Sequence, residues 1–197
     1  ELVLEPERRD TFPAIALSCS YLSFVKKVDP DEAILVLPVD PYADMEYFHV
    51  LRRMEQAVIL NAADLVLMGI VPDCASPAYG YIVPRMQNID DTGKQLREDL
   101  NIHMVEAFCE KPGEETARKL IGRGAVWNGG VFGFRLKYVM DIAVTSMKAA
   151  GRECLTYEDV RRSYSFFKKT SFDYEVAEKA SSIAMIPYKG CWKDLGT

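Results

Sequence analysis

Polar side chains that could bind a phosphorylated sugar and a metal ion follow the ends of apolar runs in the sequence. An acidic residue directly after a buried strand, as at Asp40, is where a hard cation can be held against a phosphate. At a strand end, neighbours such as Glu110 and Lys111 can both reach one ligand, the carboxylate accepting sugar hydroxyls and the ammonium binding a phosphate. The candidate side chains are Glu5, Asp40, Glu110, Lys111, Asn128, Asp173 and Asp194.

Three of these motifs, taken alone, also have a structural explanation. Asp40 is well suited to a turn or a helix cap, because aspartate favours both for local reasons. Glu110 and Lys111 together resemble an ordinary solvated ion pair. The two glycines of Trp127-Asn128-Gly129-Gly130 let a backbone approach a ligand closely, and they equally suit a tight bend or bulge.

The histidines and cysteines do not indicate a metal centre or a covalent nucleophile. His49 and His103 are the only histidines, and they lie too far apart in the sequence for a metal site or a hydrolytic triad. Cys109 precedes Glu110 but has no histidine at an interpretable spacing, so a thiol nucleophile is not expected. The chemistry must therefore come from carboxylates, lysine and amide groups.

The elements that position these residues alternate between strands and helices. This alternation predicts an α/β fold with a mostly parallel sheet flanked by helices, whose ligands bind beyond the carboxyl ends of the strands. We expect a hairpin or loop over 88–100. We expect strands at Leu2–Leu4, Ala33–Leu37, Leu65–Ile70, Tyr79–Val83, Met104–Cys109 and Ile183–Ile186, an apolar segment over 125–134, and helices near Pro13, after Asp44, over 114–121, over 138–150, after Thr156 and after Asp173.

Composition sets the class of protein. The 197 residues are 49% hydrophobic and 27% charged, which is typical of a globular domain with a sizeable core. The charge balance of 24 − 29 = −5 offers no net field for nucleic acid or an anionic membrane surface. Five scattered cysteines without CxxC pairs favour a reducing compartment, and no apolar run is long enough for a membrane span. We therefore expect a cytoplasmic protein with neither nucleic-acid nor membrane partners.

Taken in order, the motifs resemble the nucleotidyltransferase domain of the bacterial mannose-1-phosphate guanylyltransferases, or GDP-mannose pyrophosphorylases, within the sugar-phosphate nucleotidyltransferase family. The resemblance covers nearly the whole chain. Its segments are Glu5-Pro6 with Arg9-Asp10-Thr11 and Pro13-Ala14-Ile15-Ala16, Leu35 to Asp40, Met68 to Pro72, Tyr79 to Ile82, Phe108 to Pro112, Trp127 to Phe132, Phe172 to Glu175 and Gly190 to Gly196.

The resemblance implies a Rossmann-like, glycosyltransferase-A-like fold and a reaction between GTP and mannose 1-phosphate that yields GDP-mannose and pyrophosphate. By resemblance, Asp40 and Asp194 hold Mg²⁺ and Lys111 meets the sugar phosphate. The expected mannose pocket consists of the backbone at Gly80 and the side chains of Glu110, Asn128 and Asp173. Glu5 stands where related enzymes meet the base, and its carboxylate could accept from guanine N1 and N2.

The sequence also departs from the family pattern. The glycine-rich loop that wraps the nucleotide phosphates is not found in these residues and is expected upstream of Glu1, together with the first strands. We therefore expect residues 1–197 to form a partial nucleotidyltransferase domain, incomplete at its N-terminus, with little or no transferase activity by itself. A second copy of the chain could cover the open sheet edge, which makes a homo-oligomer possible.

Two alternatives remain open at this point. One is a nucleotidyltransferase for another sugar 1-phosphate, such as glucose 1-phosphate. The other is a non-catalytic relative that senses a ligand or assists assembly, although the presence of both Asp40 and Asp194 favours an enzyme.

Overall fold

The structure is a computed structural model that describes residues 1–85 and 98–195 of the chain. It divides into two compact units, each made of segments distant in sequence. The first unit comprises Glu1–Ile34 and Phe134–Lys179, and the second comprises Leu35–Gly133 and Ala180–Thr197. Most of the expected loop over 88–100 lies outside the described residues. None of the helices among the described residues is long and apolar enough to span a bilayer.

The first unit is helical. Helix α1 (Thr11–Phe24) packs against α4 (Leu136–Ala149) and α5 (Tyr157–Arg162). Its core includes an edge-to-face pair between Phe12 and Phe167, with ring centroids 5.8 Å apart. The unit also contains a 3₁₀ turn at Tyr164–Phe166 and a π-helical turn at Asp173–Ala177.

The second unit holds most of a six-stranded sheet and two helices. The sheet order is β1-β6-β3-β7-β5-β4, with an additional pairing of β6 with β4. Helices α2 (Met45–Ile59) and α3 (Glu114–Gly122) belong to this unit. The strands are β1 (Ala33–Val36), β3 (Leu65–Ile70), β4 (Tyr81–Pro84), β5 (His103–Cys109), β6 (Val126–Arg135) and β7 (Ile183–Tyr188), and a separate two-stranded ribbon pairs β2 (Pro41–Ala43) with β8 (Trp192–Asp194).

Strand direction differs from the expectation of a mostly parallel sheet. The central pair β3–β7 is parallel, and β3 is buried along its whole length, as a strand covered on both faces should be. In contrast, β4 runs antiparallel to both β5 and β6, and β5 runs antiparallel to β7. The α/β class is confirmed, but the described sheet is mixed.

Two local expectations are wrong. Leu2–Leu4 forms no strand, and the Leu2 side chain is 82% exposed, so its apolar character does not reflect burial in this structure. Asp173 is not a helix cap: Phe172 occupies the N-cap position and Asp173 is the first residue of the π-helical turn. The cap at Thr156 is confirmed, since its hydroxyl accepts from the Asp159 backbone N–H at 3.2 Å.

Candidate functional site

The candidate site is built where three strands end side by side. Tyr81 at the start of β4 pairs with Cys109 at the end of β5 and also with Trp127 in β6. Both pairings are antiparallel, so the residue before Tyr81 lies opposite the residues after Cys109 and Trp127. The register therefore brings Gly80, Glu110 and Asn128 together, although they are far apart in the sequence.

Gly80 makes room for the Glu110 side chain. A Cβ atom at position 80 would collide with Glu110 Oε2, and it would lie 3.3 Å from the Phe108 ring and 3.5 Å from Asn128 Cβ. Gly80 is itself buried. The missing side chain at position 80 thus leaves the space that the Glu110 carboxylate occupies.

Lys111 lies at the rim beside Glu110. Its Nζ is 3.6 Å from Glu110 Oε1, and the lysine side chain is 61% exposed whereas the glutamate side chain is only 8% exposed. Lys111 adopts a left-handed backbone conformation with φ 46°, which is uncommon for a residue with a side chain. Such strain persists only where the surrounding structure enforces it, and it clusters at ligand-binding sites.

Asn128 is fixed through its backbone and its side chain. Its N–H donates to the Gly80 carbonyl at 2.8 Å, and its Oδ1 accepts from the Gly130 N–H at 3.2 Å. Gly130 has φ 68°, and a Cβ on Gly129 would lie 3.0 Å from Ile70 Cγ1. The two glycines therefore provide a bend and a close approach within the sheet, which together orient the Asn128 amide.

The predicted metal ligands lie together on the β2–β8 ribbon. Pro41 pairs with Asp194 across the ribbon. Asp40 directly precedes Pro41 and so lies one residue away from the position opposite Asp194. Asp40 is exposed and Asp194 is half-buried. The structure thus brings the backbones of two aspartates close together although most of the sequence separates them.

An aromatic cluster joins this ribbon to the convergence of the three strands. The ring centroid of Tyr79 is 4.7 Å from that of Trp127 and 5.7 Å from that of Trp192 in β8. The Trp127 indole N–H donates to the Tyr81 hydroxyl at 3.0 Å, and that hydroxyl in turn donates to the Ser76 carbonyl. Tyr79 therefore links the ribbon that carries Asp194 to the strand that carries Asn128.

Asp44 holds the loop that leads into β8. Its carboxylate caps α2 through the Glu46 N–H at 3.0 Å, and it also accepts from the Cys191 N–H and the Tyr188 hydroxyl, both at 2.9 Å. The Cys191 hydrogen bond, followed by the Tyr188 bond, lowers the pKa of Asp44. Burial and the neighbouring Asp44 carboxylate raise the pKa of Tyr188 to about 12.

The carboxylate pair suits Mg²⁺ better than a metal that needs a protein cage. Among the described residues there is no group of three or more His, Cys, Asp and Glu side chains that could hold a metal ion. Mg²⁺ usually keeps several waters and is bound by one or two carboxylates together with substrate phosphates. The oxygen ligands of Asp40 and Asp194 fit that pattern.

Glu5 and Asp173, the remaining predicted residues, belong to the first unit. The Glu5 carboxylate is exposed, and its Oε2 accepts from the Tyr164 hydroxyl at 2.8 Å. Burial, with the Glu5 carboxylate as the second cause, raises the pKa of Tyr164, so the phenol stays protonated and remains the donor. Asp173 is half-buried at the start of its π-helical turn.

Comparison with known proteins assigns the family. The family model described as nucleotidyl transferase matches residues 1–197. The chain belongs to the nucleotidyl transferase family. Among curated proteins, it is 32% identical to the alginate biosynthesis protein AlgA of Pseudomonas aeruginosa and 31% identical to a mannose-1-phosphate guanylyltransferase of Escherichia coli K12. Both alignments cover the whole chain, but the chain spans only 41% and 42% of the lengths of these nucleotidyl transferase relatives.

A solved structure agrees with this assignment. A Thermus thermophilus protein described as a mannose-1-phosphate geranyltransferase matches with a TM-score of 0.76 and 30% identity over all of this chain and 55% of that one. A Helicobacter pylori protein described as a mannose-6-phosphate isomerase has a TM-score of 0.70 at 19% identity, covering 97% of this chain and 73% of that one, which shows a shared fold alone. The expected nucleotidyltransferase fold is confirmed.

Several supporting residues were given no role by the sequence analysis. Tyr79, Tyr81 and Trp192 lie inside the motifs that carried the resemblance, but nothing in their spacing indicated that their side chains would connect the ribbon to the pocket. Asp44 was expected to cap α2, whereas its bonds to Cys191 and Tyr188 depend on contacts distant in sequence. A paired signal at Asp44 and Tyr188 across related sequences is the kind of observation that would have found them.

Proposed function

We propose that this chain carries the sugar-phosphate side of a mannose-1-phosphate guanylyltransferase, which transfers GMP from GTP to mannose 1-phosphate and releases pyrophosphate. The observation that carries the proposal is the convergence of Gly80, Glu110 and Asn128 at one set of strand ends. It supports a pocket for a polar, phosphorylated ligand in a chain whose relatives include mannose-1-phosphate guanylyltransferases.

The reaction needs positioning and charge neutralisation more than proton transfer. A phosphate monoester with a second pKa near ~6 is already mostly dianionic at pH 7, so its oxygen can attack the α-phosphorus of GTP without a general base. A new P–O bond forms there as the bond to pyrophosphate breaks, and no proton moves in the step. This accords with a site that contains carboxylates, a lysine and an amide.

Lys111 and Glu110 divide the recognition of the sugar phosphate between them. The exposed ammonium of Lys111 binds the phosphate, while the nearly buried Glu110 carboxylate accepts hydrogen bonds from sugar hydroxyls. Asn128 adds an amide that can both donate and accept. On the strength of the family resemblance alone, we propose that Asp173 also binds the sugar.

Asp40 and Asp194 would hold Mg²⁺, which when bound neutralises charge on the phosphates. The two carboxylates come from neighbouring positions of the β2–β8 ribbon. Their role would be to bind the ion in its complex with the nucleotide.

Glu5 would recognise the guanine base. The Tyr164 hydroxyl donates to Glu5 Oε2 at 2.8 Å and thereby holds the carboxylate within the first unit. A carboxylate fixed in this way accepts from the adjacent N1 and N2 donors of guanine, which uracil and adenine do not present. Replacing Glu5 by Gln should therefore reduce the preference for GTP over UTP, and unchanged discrimination would contradict this assignment.

Calorimetric titration of the purified chain tests the proposal directly. Mannose 1-phosphate, glucose 1-phosphate, GDP-mannose and UDP-glucose are titrated in turn with Mg²⁺ present. We expect GDP-mannose to bind most tightly and mannose 1-phosphate to bind better than glucose 1-phosphate. Tighter binding of the glucose compounds would instead support an enzyme for another sugar phosphate, and absence of binding by all four would reject the sugar pocket.

A further inference from the structure

A polar cavity opens beside α2, on the second unit. Its volume is about 350 Å³, and we call it the α2 cavity. None of its lining residues is among the candidates for sugar, nucleotide or metal binding described above. The lining consists of Glu46, Arg53, Asn101, Pro187, Lys189 and Gly190.

The lining of the α2 cavity contains two cationic residues, Arg53 and Lys189, and one carboxylate residue, Glu46. Arg53 Nη2 lies 2.6 Å from Glu46 Oε1, so these two opposite charges balance each other. Lys189 forms no ion pair with any residue in 1–85 or 98–195. Lys189 is therefore the cation of the cavity wall without a carboxylate partner among the described residues, and the Asp44 carboxylate lies against Gly190 of the same wall.

Arg53 is a second cationic residue in the lining of the α2 cavity. Its Nε is buried and has no hydrogen-bond acceptor among the residues that the structure describes. Because Nε is not accessible from the cavity, contact with an anion would come from the other guanidinium nitrogens of Arg53, whose planar arrangement matches the geometry of phosphate oxygens.

Asn101 provides a third donor. Its Oδ1 lies 3.1 Å from His103 Nε2. Burial, together with the charge of Lys189, lowers the pKa of His103, so the ring is neutral at pH 7 and donates its Nε2–H to Asn101. The Asn101 amide nitrogen then remains as a donor on a residue that lines the cavity.

We propose that the α2 cavity is a second anion site that binds a phosphate group through Lys189, Arg53 and Asn101. Two cations and an amide are the groups that proteins use to bind phosphate oxygens. The phosphate could be a free ion or part of a sugar phosphate, since the chemistry of the contact is the same. Lys189 belongs to the loop that Asp44 holds through Cys191, so a bound anion would contact the segment that leads into β8.

Phosphate titration with two readouts tests the site. Inorganic phosphate, pyrophosphate and mannose 1-phosphate are each titrated into the full chain, while binding is followed by calorimetry and the His103 ring by NMR. An anion beside Lys189 should raise the pKa of His103, because a nearby negative charge favours the protonated ring. We expect Lys189→Gln and Arg53→Gln to weaken inorganic phosphate binding by about tenfold or more and to abolish the change at His103.

Two control variants keep this test separate from the proposed function. Arg52→Gln removes an exposed charge from the neighbouring position of α2 and should bind phosphate like the unmodified chain. Lys111→Met should lose mannose 1-phosphate at the sugar pocket but retain inorganic phosphate at the α2 cavity. Inorganic phosphate binding that survives Lys189→Gln, or a His103 pKa that does not move, would overturn the proposal. A response to mannose 1-phosphate but not to the inorganic ions at His103 would identify the sugar phosphate as the ligand.

Discussion

Among the single residues of the site, Glu110 is nearly buried and lies next to an exposed positive charge. Its side chain is 8% exposed, and the Lys111 ammonium lies 3.6 Å away. A carboxylate in this setting can discriminate between sugar hydroxyl patterns, because hydrogen bonds to a charged group are stronger than neutral ones.

We predict that Glu110→Gln weakens mannose 1-phosphate binding by about 10- to 100-fold, because a charged acceptor contributes about 1.5–3 kcal/mol to a hydrogen bond. Calorimetry measures the change. Glu106→Gln is the matched control, since Glu106 lies on β5, the strand that Glu110 follows, is exposed and pairs with Arg123 at the surface. Equal affinities for the Glu110 and Glu106 variants would contradict the assignment.

Gly80 offers an independent test of the same pocket without changing any polar group. In Gly80→Ala the new methyl group would occupy the space of Glu110 Oε2 and press on the Phe108 ring. We predict loss of sugar-phosphate binding together with lower thermal stability.

The control for Gly80→Ala is Gly122→Ala at the end of α3, where an added Cβ meets nothing within 4 Å. Alanine is favoured over glycine in a helix by about 0.5–1 kcal/mol, so this variant should melt at a slightly higher temperature and bind normally. Normal binding by Gly80→Ala would show that Glu110 is not held in the way described.

Among the secondary-structure elements, the Asp44 carboxylate connects three segments: the start of α2, the end of β7 and the loop before β8. Its pKa is lower in the folded protein than in the unfolded chain. Unfolding therefore takes up a proton, and the stability from Asp44 is present above about pH 4 and is lost as the pH falls through the lower folded value.

We predict that Asp44→Asn lowers the melting temperature at pH 7 and that the difference from the unmodified protein shrinks as the pH falls below about 4. The variant should also weaken Mg²⁺-dependent GDP-mannose binding, because the loop that leads to Asp194 is no longer held by the carboxylate. Thr156→Ala, which removes the cap of α5 in the other unit at a cost of about 1 kcal/mol, should lower stability without changing that binding. Parallel pH profiles for the Asp44 variant and the unmodified protein would contradict the first expectation.

Some strands and helices could be predicted from the sequence and others could not. Strand β3 and helix α2 were predictable because a continuous apolar run and an aspartate cap are local signals. Leu2–Leu4 has the same local character as a strand, but pairing depends on a neighbour that the run itself does not specify. Strand direction was missed for the same reason, since the two-residue side-chain period is identical in parallel and antiparallel strands.

The candidate site was predictable to the extent that its residues lie within motifs. Gly80, Glu110 and Asn128 were grouped by resemblance, and the double pairing of Tyr81 supplies the physical reason for that grouping. The aromatic link through Tyr79 and the bonds of Asp44 depend on side-chain packing between distant segments, which no local pattern encodes. Glu5 and Asp173 remain predictions as ligand-binding residues.

At the scale of the whole molecule, the net charge of −5 sets the conditions for binding a polyanion. An acidic protein repels a nucleotide unless positive charge is supplied locally. With Asp40 and Asp194 near one another and no larger acidic cluster in the described part of the chain, the metal should bind tightly only together with phosphate ligands.

We predict that removing Mg²⁺ with EDTA weakens GDP-mannose binding at least about tenfold, whereas binding of inorganic phosphate at the α2 cavity is unchanged. Adding Mg²⁺ back in excess should restore the sugar nucleotide affinity. The variant Asp40→Asn should bind weakly with or without the metal. An affinity that is independent of Mg²⁺ in the unmodified chain would remove Asp40 and Asp194 from the proposed site.

We also predict that the 197-residue chain binds GDP-mannose but forms little of it from GTP and mannose 1-phosphate, because its sequence contains no glycine-rich loop of the kind that wraps the nucleotide phosphates in this family. A coupled pyrophosphate-release assay measures turnover, and calorimetry on the same preparation measures binding. Turnover at the rate of a full-length guanylyltransferase would refute this prediction.

The pairing of Tyr81 with both Cys109 and Trp127 has a practical consequence for preparing the protein. A shift of one residue in either ladder would move Glu110 or Asn128 to the opposite face of its strand, so misregistered molecules could not assemble the pocket. The stoichiometry of sugar-phosphate binding therefore measures the fraction of molecules whose strands pair in the correct register. If a refolded sample has the full circular dichroism signal of its helices but binds sugar phosphate at half the expected stoichiometry, half of its molecules contain a sheet with a shifted strand register.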